Sequence, residues 1–512
     1  MSKKSAIVRW DATYDVVVVG YGGAGASAAI SASDHSAGKV LLVEKLGEPG
    51  GTTAISTGLI MVPSRDGQGA VQKYVERLTG SVTDAESISA FVREARANLD
   101  WLETLGASFE RLTPESIRGF PRVGRSGAGF PAAEGSSGVQ IFTVKGEGLP
   151  AENLFRILRQ AVEKRRVRVS LETSATQLVL DRGKVKGILL SKRRKKRGGV
   201  VSNNGKRTIA VRTLKGVILA CGGFEYDEEL KKNYLPMPLF GALGSPGNTG
   251  DGIRMAVEAG AQLWHMNAVS AAFAYKIPGI GFVSHFMPTA RFIYVDQDGR
   301  RFCDESGLEG HTSWMRASGY DTKRLRYPGI PSFVVFDEAA RKEGPIGHFR
   351  SGAAKGASTW SVDNSGEVAK GWISTAESLE QLASKLGIDP ADSLVGTITR
   401  YNEACRSGVD PEFHRSAETL KPIDSPPYYG IAIWEALGNT QGGPRRNPKC
   451  QVLDTHNNPI PGLYSAGSLG SIWGFLYQGG GNIAECLASG RVAGREVVVA
   501  TSSRGSNRRG QP

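Results

Sequence analysis

One stretch constrains the fold more than any other: Tyr14-Asp-Val-Val-Val-Val-Gly-Tyr-Gly-Gly-Ala-Gly25, running on into the Ala-rich segment Ala26 to Ser33. Four consecutive valines predict a strand covered on both faces, as in a parallel sheet. Gly20, Gly22 and Gly25 then fall at the spacing of the dinucleotide fingerprint. The first glycine makes the tight turn, the second lets backbone approach a pyrophosphate, and the third lets helix pack on strand. Ala26 to Ser33 reads as the helix whose N-terminal N–H groups face the anion. A second strand, Lys39-Val-Leu-Leu-Val-Glu44, ends in an acid placed to hold a ribose diol. A glycine-rich turn without a ligand would require none of this strand-turn-helix-strand-acid order.

The 512 residues leave room for about two to four domains. The 66 glycines follow no fixed period, which suits backbone lying close to a large ligand rather than a repeat. Much of the net charge of +13 sits in Lys192-Arg-Arg-Lys-Lys-Arg197 and in the segment Arg504 to Arg509. No aromatic residue interleaves with those charges to stack on bases, so a solvated hairpin loop is favoured over a nucleic-acid site. Strands near Val185 to Leu190 and Ile209 to Val211 would flank that loop. Cys221, Cys303, Cys405, Cys450 and Cys486 show no paired spacing, which argues for a reducing compartment without structural zinc or c-type haem. No secretory leader or membrane span is evident, and a cytoplasmic protein is expected.

After Glu44 comes Lys45-Leu-Gly-Glu-Pro-Gly-Gly-Thr-Thr-Ala-Ile-Ser-Thr-Gly-Leu59. This stretch resembles the flavoprotein subunit of fumarate reductase and succinate dehydrogenase and its relatives, the 3-ketosteroid dehydrogenases. There Glu-Lys, Gly-Gly-x-Thr and Ser-x-Gly follow the first βαβ unit. The resemblance implies an α/β protein, a Rossmann-like FAD-binding domain with an inserted α+β capping domain that holds the substrate, and FAD bound without a covalent link. From this first part it carries over Gly20, Gly22, Gly23, Ala24, Gly25, Glu44, Lys45, Gly51, Thr52, Thr53, Ser56 and Gly58 as cofactor contacts. Beyond it follow Ala175 beside the adenine, Ala220, Gly222 and Gly223 of Ala-Cys-Gly-Gly-Phe224, and Asn248. Gly467, Gly480, Gly481 and Ile483 complete the set. Asp251 has two readings, a helix N-cap or a contact on the pyrophosphate side.

Periodic apolar positions predict helices within Val71 to Leu105 and over Ala151 to Glu163. Arg118 to Gln140 reads as irregular chain. Val167 to Leu171 and Ser174 to Leu180 read as strands. The domains expected are 1–266 with 425–500 for FAD, 267–424 for the cap, and 501–512 as a disordered basic tail.

The two arginines that handle a dicarboxylate in fumarate reductases have no counterparts. Tyr477 stands in the first place, within Gly474-Phe-Leu-Tyr-Gln-Gly-Gly-Gly-Asn482, and Arg301-Phe-Cys-Asp-Glu305 is followed by no arginine before Arg316. Gly438 likewise opens the stretch where that branch has a histidine. Tyr477-Gln-Gly-Gly-Gly481 instead resembles the ketosteroid dehydrogenase Tyr-x-Gly-x-Gly. There the tyrosine hydroxyl and the last glycine N–H bind a ketone oxygen. Glu309 stands where those enzymes have a catalytic tyrosine, and His311 follows; His311 is the favoured proton-transfer group because histidine needs the smaller pKa shift, with Glu309 the alternative. The expected reaction is α,β-dehydrogenation of a cyclic or steroid-like ketone, with electrons passing to an unidentified acceptor. Enone or enoate reduction fed by a donor is the reverse alternative. A flavin-binding protein acting through its basic surface is the alternative from another class.

Overall fold

The computed structural model describes residues 9–113, 128–195, 201–307 and 309–506, with side chains at 193–206 and beyond 500 excepted. The valine run forms β1 (Ala12–Val19), whose last four residues are buried. It pairs in parallel with β2 (Val40–Val43), Val16 opposite Val40 and Val19 opposite Val43. On its other side β1 runs parallel to the long strand Val201–Leu219. Val167–Ser170 extends the sheet beyond β2, and Pro459–Ser465 extends it beyond Val201–Leu219, both in parallel. The antiparallel hairpin of Thr173–Asp181 and Lys184–Lys195 is bonded to the free part of Val201–Leu219.

Between β1 and β2 lies α1 (Gly23–Asp34), buried from Gly23 through Ala32. A helix apolar on every side must be enclosed. One cover is the long helix Gly481–Ser506, pressed so closely on α1 that a Cβ at Gly490 would lie 2.5 Å from Ala24 O and one at Gly494 2.4 Å from Ala28 O. The glycines of the late helix therefore set the distance between the two. The first helix begins at Gly23 rather than Ala26, because Gly23 to Gly25 already take helical geometry once the turn at Gly20 is made.

A second sheet follows the order Phe292–Val295, Ser332–Asp337, Tyr428–Thr440, Val269–Ile277, Gly281–His285, Gly347–His348, antiparallel throughout that path. Its central strand, Tyr428–Thr440, and the short Gly241–Ala242 beside it lie outside the span 267–424 expected for the cap. A composition change marks where side chains differ, whereas strand pairing draws its partners from either side of that change.

Other expectations shift for local reasons. The helical stretch 71–105 is three helices, Gln68–Leu78, Ala85–Arg96 and Asn98–Thr104, the middle one capped by Asp84, whose side chain accepts from Ser87 N. Val139–Val144 is a buried strand between Ile60–Pro63 and Phe109–Arg111, so the end of the stretch expected to be irregular is ordered by pairing; 114–127 lie outside the described residues. The hairpin strand continues through Lys195 rather than stopping before the basic run; 196–200 lie outside the described residues. The last helix runs to Ser506, into the segment expected to be a disordered tail, and 507–512 are outside the described residues. Among the described residues no helix is long and apolar enough to cross a membrane.

Candidate active site

A cleft of about 1090 Å³, counted to its open mouth, runs from the ends of β1 and β2 to the start of the helix Gly481–Ser506. Gly20, with φ +100°, makes the turn that opens it, and a Cβ there would meet Ala220 O at 2.3 Å. Gly22 is different: a Cβ would find nothing nearer than Gly50 O at 3.6 Å, and it lines the cleft. Bareness at Gly22 thus serves whatever lies in the cleft rather than the protein's own packing.

Glu44, at the end of β2, is held by two main-chain amides, Tyr21 N to Oε2 and Leu46 N to Oε1, each at 2.9 Å. That fixes the carboxylate while each oxygen keeps acceptor capacity for a diol. Lys45 Nζ is 2.8 Å from Asp251 Oδ2 and 2.5 Å from Thr249 Oγ1, tying the first βα unit to the turn after Asn248. Asp251 is therefore not the helix N-cap. Gly250, with φ +71°, takes that position, and Asp251 is the first helical residue with its side chain turned to Lys45. Thr52 Oγ1 accepts from Ser245 N at 3.0 Å and Asn248 Nδ2 at 3.1 Å, and Thr53 Oγ1 accepts from Gly23 N at 3.1 Å.

At the far end the amides of Gly480, Asn482 and Ile483 lie at a helix start, where partial positive charge accumulates. Asn482 is buried there with neither Nδ2 nor Oδ1 partnered among the described residues. Unpartnered buried amide atoms are costly, and a polar ligand would satisfy them. A fixed carboxylate, a bare glycine turn, a helix N-terminus and an orphaned amide together fit FAD. The carboxylate would hold its ribose, the glycine turn its pyrophosphate, and the helix start with the orphaned amide the polar edge of its ring.

Of the cofactor residues expected from sequence, Gly20, Gly22, Gly23, Ala24, Glu44, Lys45, Gly51, Thr52, Thr53, Ser56, Ala175, Ala220, Gly222, Asn248, Asp251, Gly467, Gly480 and Ile483 line the cleft. Gly25, Gly58, Gly223 and Gly481 do not. Their bareness serves packing instead: a Cβ would meet Gly20 O at 1.8 Å, Ala151 N at 2.4 Å, Thr440 Oγ1 at 2.1 Å and Trp473 Cζ2 at 2.4 Å respectively. Sequence reasoning missed Thr57, Ser245, Asn439, Ser468, Asn482 and Cys486, all in the lining. Only Asn482 carried a signal, as the end of the Gly-Gly-Asn run.

Tyr477 lines the cleft just before that helix. Its hydroxyl accepts from Asn482 N at 3.4 Å, which leaves the phenolic proton to donate. Burial holds its pKa well above the ordinary tyrosine value, so the hydroxyl stays protonated. The ring stands edge to face with Trp473 at 5.8 Å and with His311 at 4.8 Å. Gly481 N, expected to bind a ketone oxygen, donates to Gln478 O at 2.8 Å. The turn that starts the helix consumes this amide.

Glu309 and His311 come from the second sheet's side. Their loop is anchored by the Arg-Phe-x-x-Glu segment, in which Arg301 pairs with Glu305 at 2.8 Å and with Asp410 at 3.0 Å, and Arg415 with Glu305 at 3.1 Å, all buried. Glu309 then grips His311 twice, Oε1 against Nδ1 and Oε2 accepting the main-chain N, both at 2.8 Å. A carboxylate on Nδ1 favours the tautomer with its proton there, making Nε2 the basic nitrogen. Behind the loop, Ser313 Oγ donates to Glu435 Oε2 at 2.9 Å, and burial pushes the Glu435 carboxyl up to about 8.

A nucleotide-binding sheet, an FAD-shaped cleft and a second sheet bringing polar groups to one end define a flavin-dependent oxidoreductase. A model described as an FAD binding domain matches residues 15–483, and the chain belongs to that family. Fumarate reductase (cytochrome) of Shewanella frigidimarina is 29% identical over 498 residues, covering 95% of this chain and 77% of that one. The 3-oxosteroid 1-dehydrogenase of Mycobacterium tuberculosis is 26% identical over 576 residues, covering 95% and 98%. Among solved structures, 3-ketosteroid delta1-dehydrogenase from Sterolibacterium denitrificans has TM-score 0.78 at 21% identity, covering 95% of this chain and 100% of that one, and shares the fold. The 3-ketosteroid-delta4-(5alpha)-dehydrogenase of Rhodococcus jostii, in complex with 4-androstene-3,17-dione, has TM-score 0.69 at 25% identity, covering 96% and 98%. The protein is an FAD-dependent oxidoreductase, similar over nearly its whole length to fumarate reductases and to ketosteroid dehydrogenases alike.

Proposed function

We propose that the protein desaturates a cyclic or steroid-like ketone between its α and β carbons. Bound FAD would accept the β-hydrogen as hydride and pass two electrons to a separate acceptor. The observation that carries this reading is the edge-to-face contact between Tyr477, which lines the cleft and whose pKa burial raises, and a Glu309-held His311 beside it. An α-hydrogen beside a ketone is a very weak acid. Tyr477, donating to the carbonyl oxygen, stabilises the enolate that forms as His311 Nε2 takes the α-proton. One such donor contributes about 3 kcal/mol. Because Gly481 N is engaged with Gln478 O, Tyr477 carries this role without it. Glu309 orients the imidazole and stabilises its charged form.

The same groups serve the reverse reaction, in which His311 returns a proton to an enone or enoate. Similarity of the chain to a fumarate reductase at 29% identity keeps that second reading open, although Tyr477 replaces the arginine expected to clamp a carboxylate. Anaerobic mixing with 4-androstene-3,17-dione or cyclohexanone, with 2,6-dichlorophenolindophenol as acceptor, decides between them. Dye bleaching that requires Tyr477 supports dehydrogenation. No bleaching by either ketone, together with reoxidation of the reduced protein by fumarate, overturns it in favour of reduction.

A further inference from the structure

Gln478 lies between Tyr477 and the glycines of the helix start, yet its side chain turns away from the cleft lining into a buried network. Its Oε1 accepts from Tyr74 OH at 2.5 Å and from Gly129 N at 2.9 Å, while Nε2 donates to Gly479 O at 2.9 Å. Tyr74, itself fully buried, accepts from Phe130 N at 3.3 Å. A single amide thus links the helix Gln68–Leu78, the chain at Gly129 and Phe130, and the turn that carries Tyr477.

That network touches the proton-transfer pair from beneath. A Cβ at Gly129 would stand 3.3 Å from Glu309 Cγ and 3.6 Å from Glu309 Oε1, so the acid rests on bare backbone there. One at Gly479 would stand 3.6 Å from His311 Cε1. Burial raises the Tyr74 hydroxyl well above its ordinary pKa, and the charge of Glu309 adds to the rise, which places the carboxylate within electrostatic reach of the phenol. The hydroxyl therefore remains a donor to Gln478.

We propose that Tyr74 and Gln478 are positioning residues, a buried wedge that holds Gly129 at one height and thereby sets where Glu309 and His311 stand relative to Tyr477. The proposal rests on the dehydrogenase reading, in which those three residues do the chemistry. Neither Tyr74 nor Gln478 touches the reacting atoms; each acts through the seat it gives to Glu309. Such a seat matters because a proton-transfer group displaced by about 1 Å can lose on the order of a hundredfold in rate.

The test is a double-mutant cycle on the FAD-loaded protein, read as the rate of flavin bleaching after anaerobic mixing with 4-androstene-3,17-dione or cyclohexanone. Tyr74→Phe is expected to keep FAD and the half-saturating ketone concentration and to slow bleaching roughly tenfold. In a Glu309→Gln background the same change is expected to cost nothing further, since groups that act through one another are not additive. Should Tyr74→Phe fail to fold around FAD, Gln478→Met, which deletes the shared acceptor, is judged by the same criteria. Bleaching at the parent rate, or the same tenfold loss persisting without Glu309, overturns the positioning role and leaves the dehydrogenase reading standing. Parent-rate bleaching by both Glu309→Gln and His311→Ala, or no bleaching of the parent by either ketone, overturns that reading and this proposal with it.

Discussion

The two ends of the cleft are built differently. At the nucleotide end the contacts are main chain or are fixed by main chain: Gly20 turns, Gly22 stays bare, and two amides hold Glu44. At the end proposed to react they are loop side chains, Tyr477 just before the helix Gly481–Ser506 and Glu309 with His311 in the chain that follows the strand Phe292–Val295. A backbone cradle has no room for both an added atom and the cofactor, whereas a side-chain constellation tolerates substitution in shape and fails in chemistry. The first end should therefore break as folding or binding, and the second as rate.

Gly25→Ala should have the largest effect. Its Cβ would sit 1.8 Å from Gly20 O, and no soluble yellow protein is expected on expression. Gly22→Ala separates folding from binding. With its nearest neighbour at 3.6 Å the new methyl is accommodated, so circular dichroism should match the parent while FAD affinity, followed by flavin fluorescence, falls a hundredfold or more. Normal FAD binding by Gly22→Ala would erase the distinction between the two ends. Tyr477→Phe keeps the ring and loses one donor, so FAD should remain bound while flavin reduction by ketone slows by about two orders of magnitude. Unchanged single-turnover reduction would remove Tyr477 from the chemistry.

Glu435→Gln should have the smallest effect and one that depends on pH. The folded protein keeps a proton on Glu435 up to about 8 that the unfolded chain, at the ordinary 4.5, has already lost. Across that window the native state binds more protons, so this group's contribution to stability falls as pH rises. The neutral variant lacks the decline. Its melting temperature should equal the parent's at pH 5 and exceed it by roughly 2–4 °C at pH 8. A gap of equal size at both pH values would show that Glu435 is ionised in the folded state throughout.

This division also explains what could be read from the chain alone. The residues expected to meet the cofactor lie in short contiguous runs whose steric reasons are local, so Gly20, Gly22 to Ala24, Glu44 and Thr52, which line the cleft, are legible in the chain alone. Gly25, Gly58, Gly223 and Gly481 belong to the same runs, but a run does not tell which of its glycines faces the ligand and which faces a neighbouring strand or ring. Glu309 and His311 were legible as polar residues at a meaningful distance from Arg301. Their mutual grip was not, because it depends on loop geometry set by Arg415 and Asp410, over a hundred residues away in sequence. Glu435 gave no sign, since both faces of its strand are covered and periodicity cannot single out one buried acid. The fate of Gly481 N was hidden for a similar reason. A motif names the residues of a turn but not which of its amides the turn itself uses.

The embrace of α1 by the helix Gly481–Ser506 has a consequence for how the protein is made. Synthesis makes the glycine turn before its cover, so the apolar faces of Ala24, Ala28 and Ala32, buried in the folded protein, wait for residues 481–506 to be enclosed. A nonsense codon before position 481 would therefore leave the fingerprint without this cover.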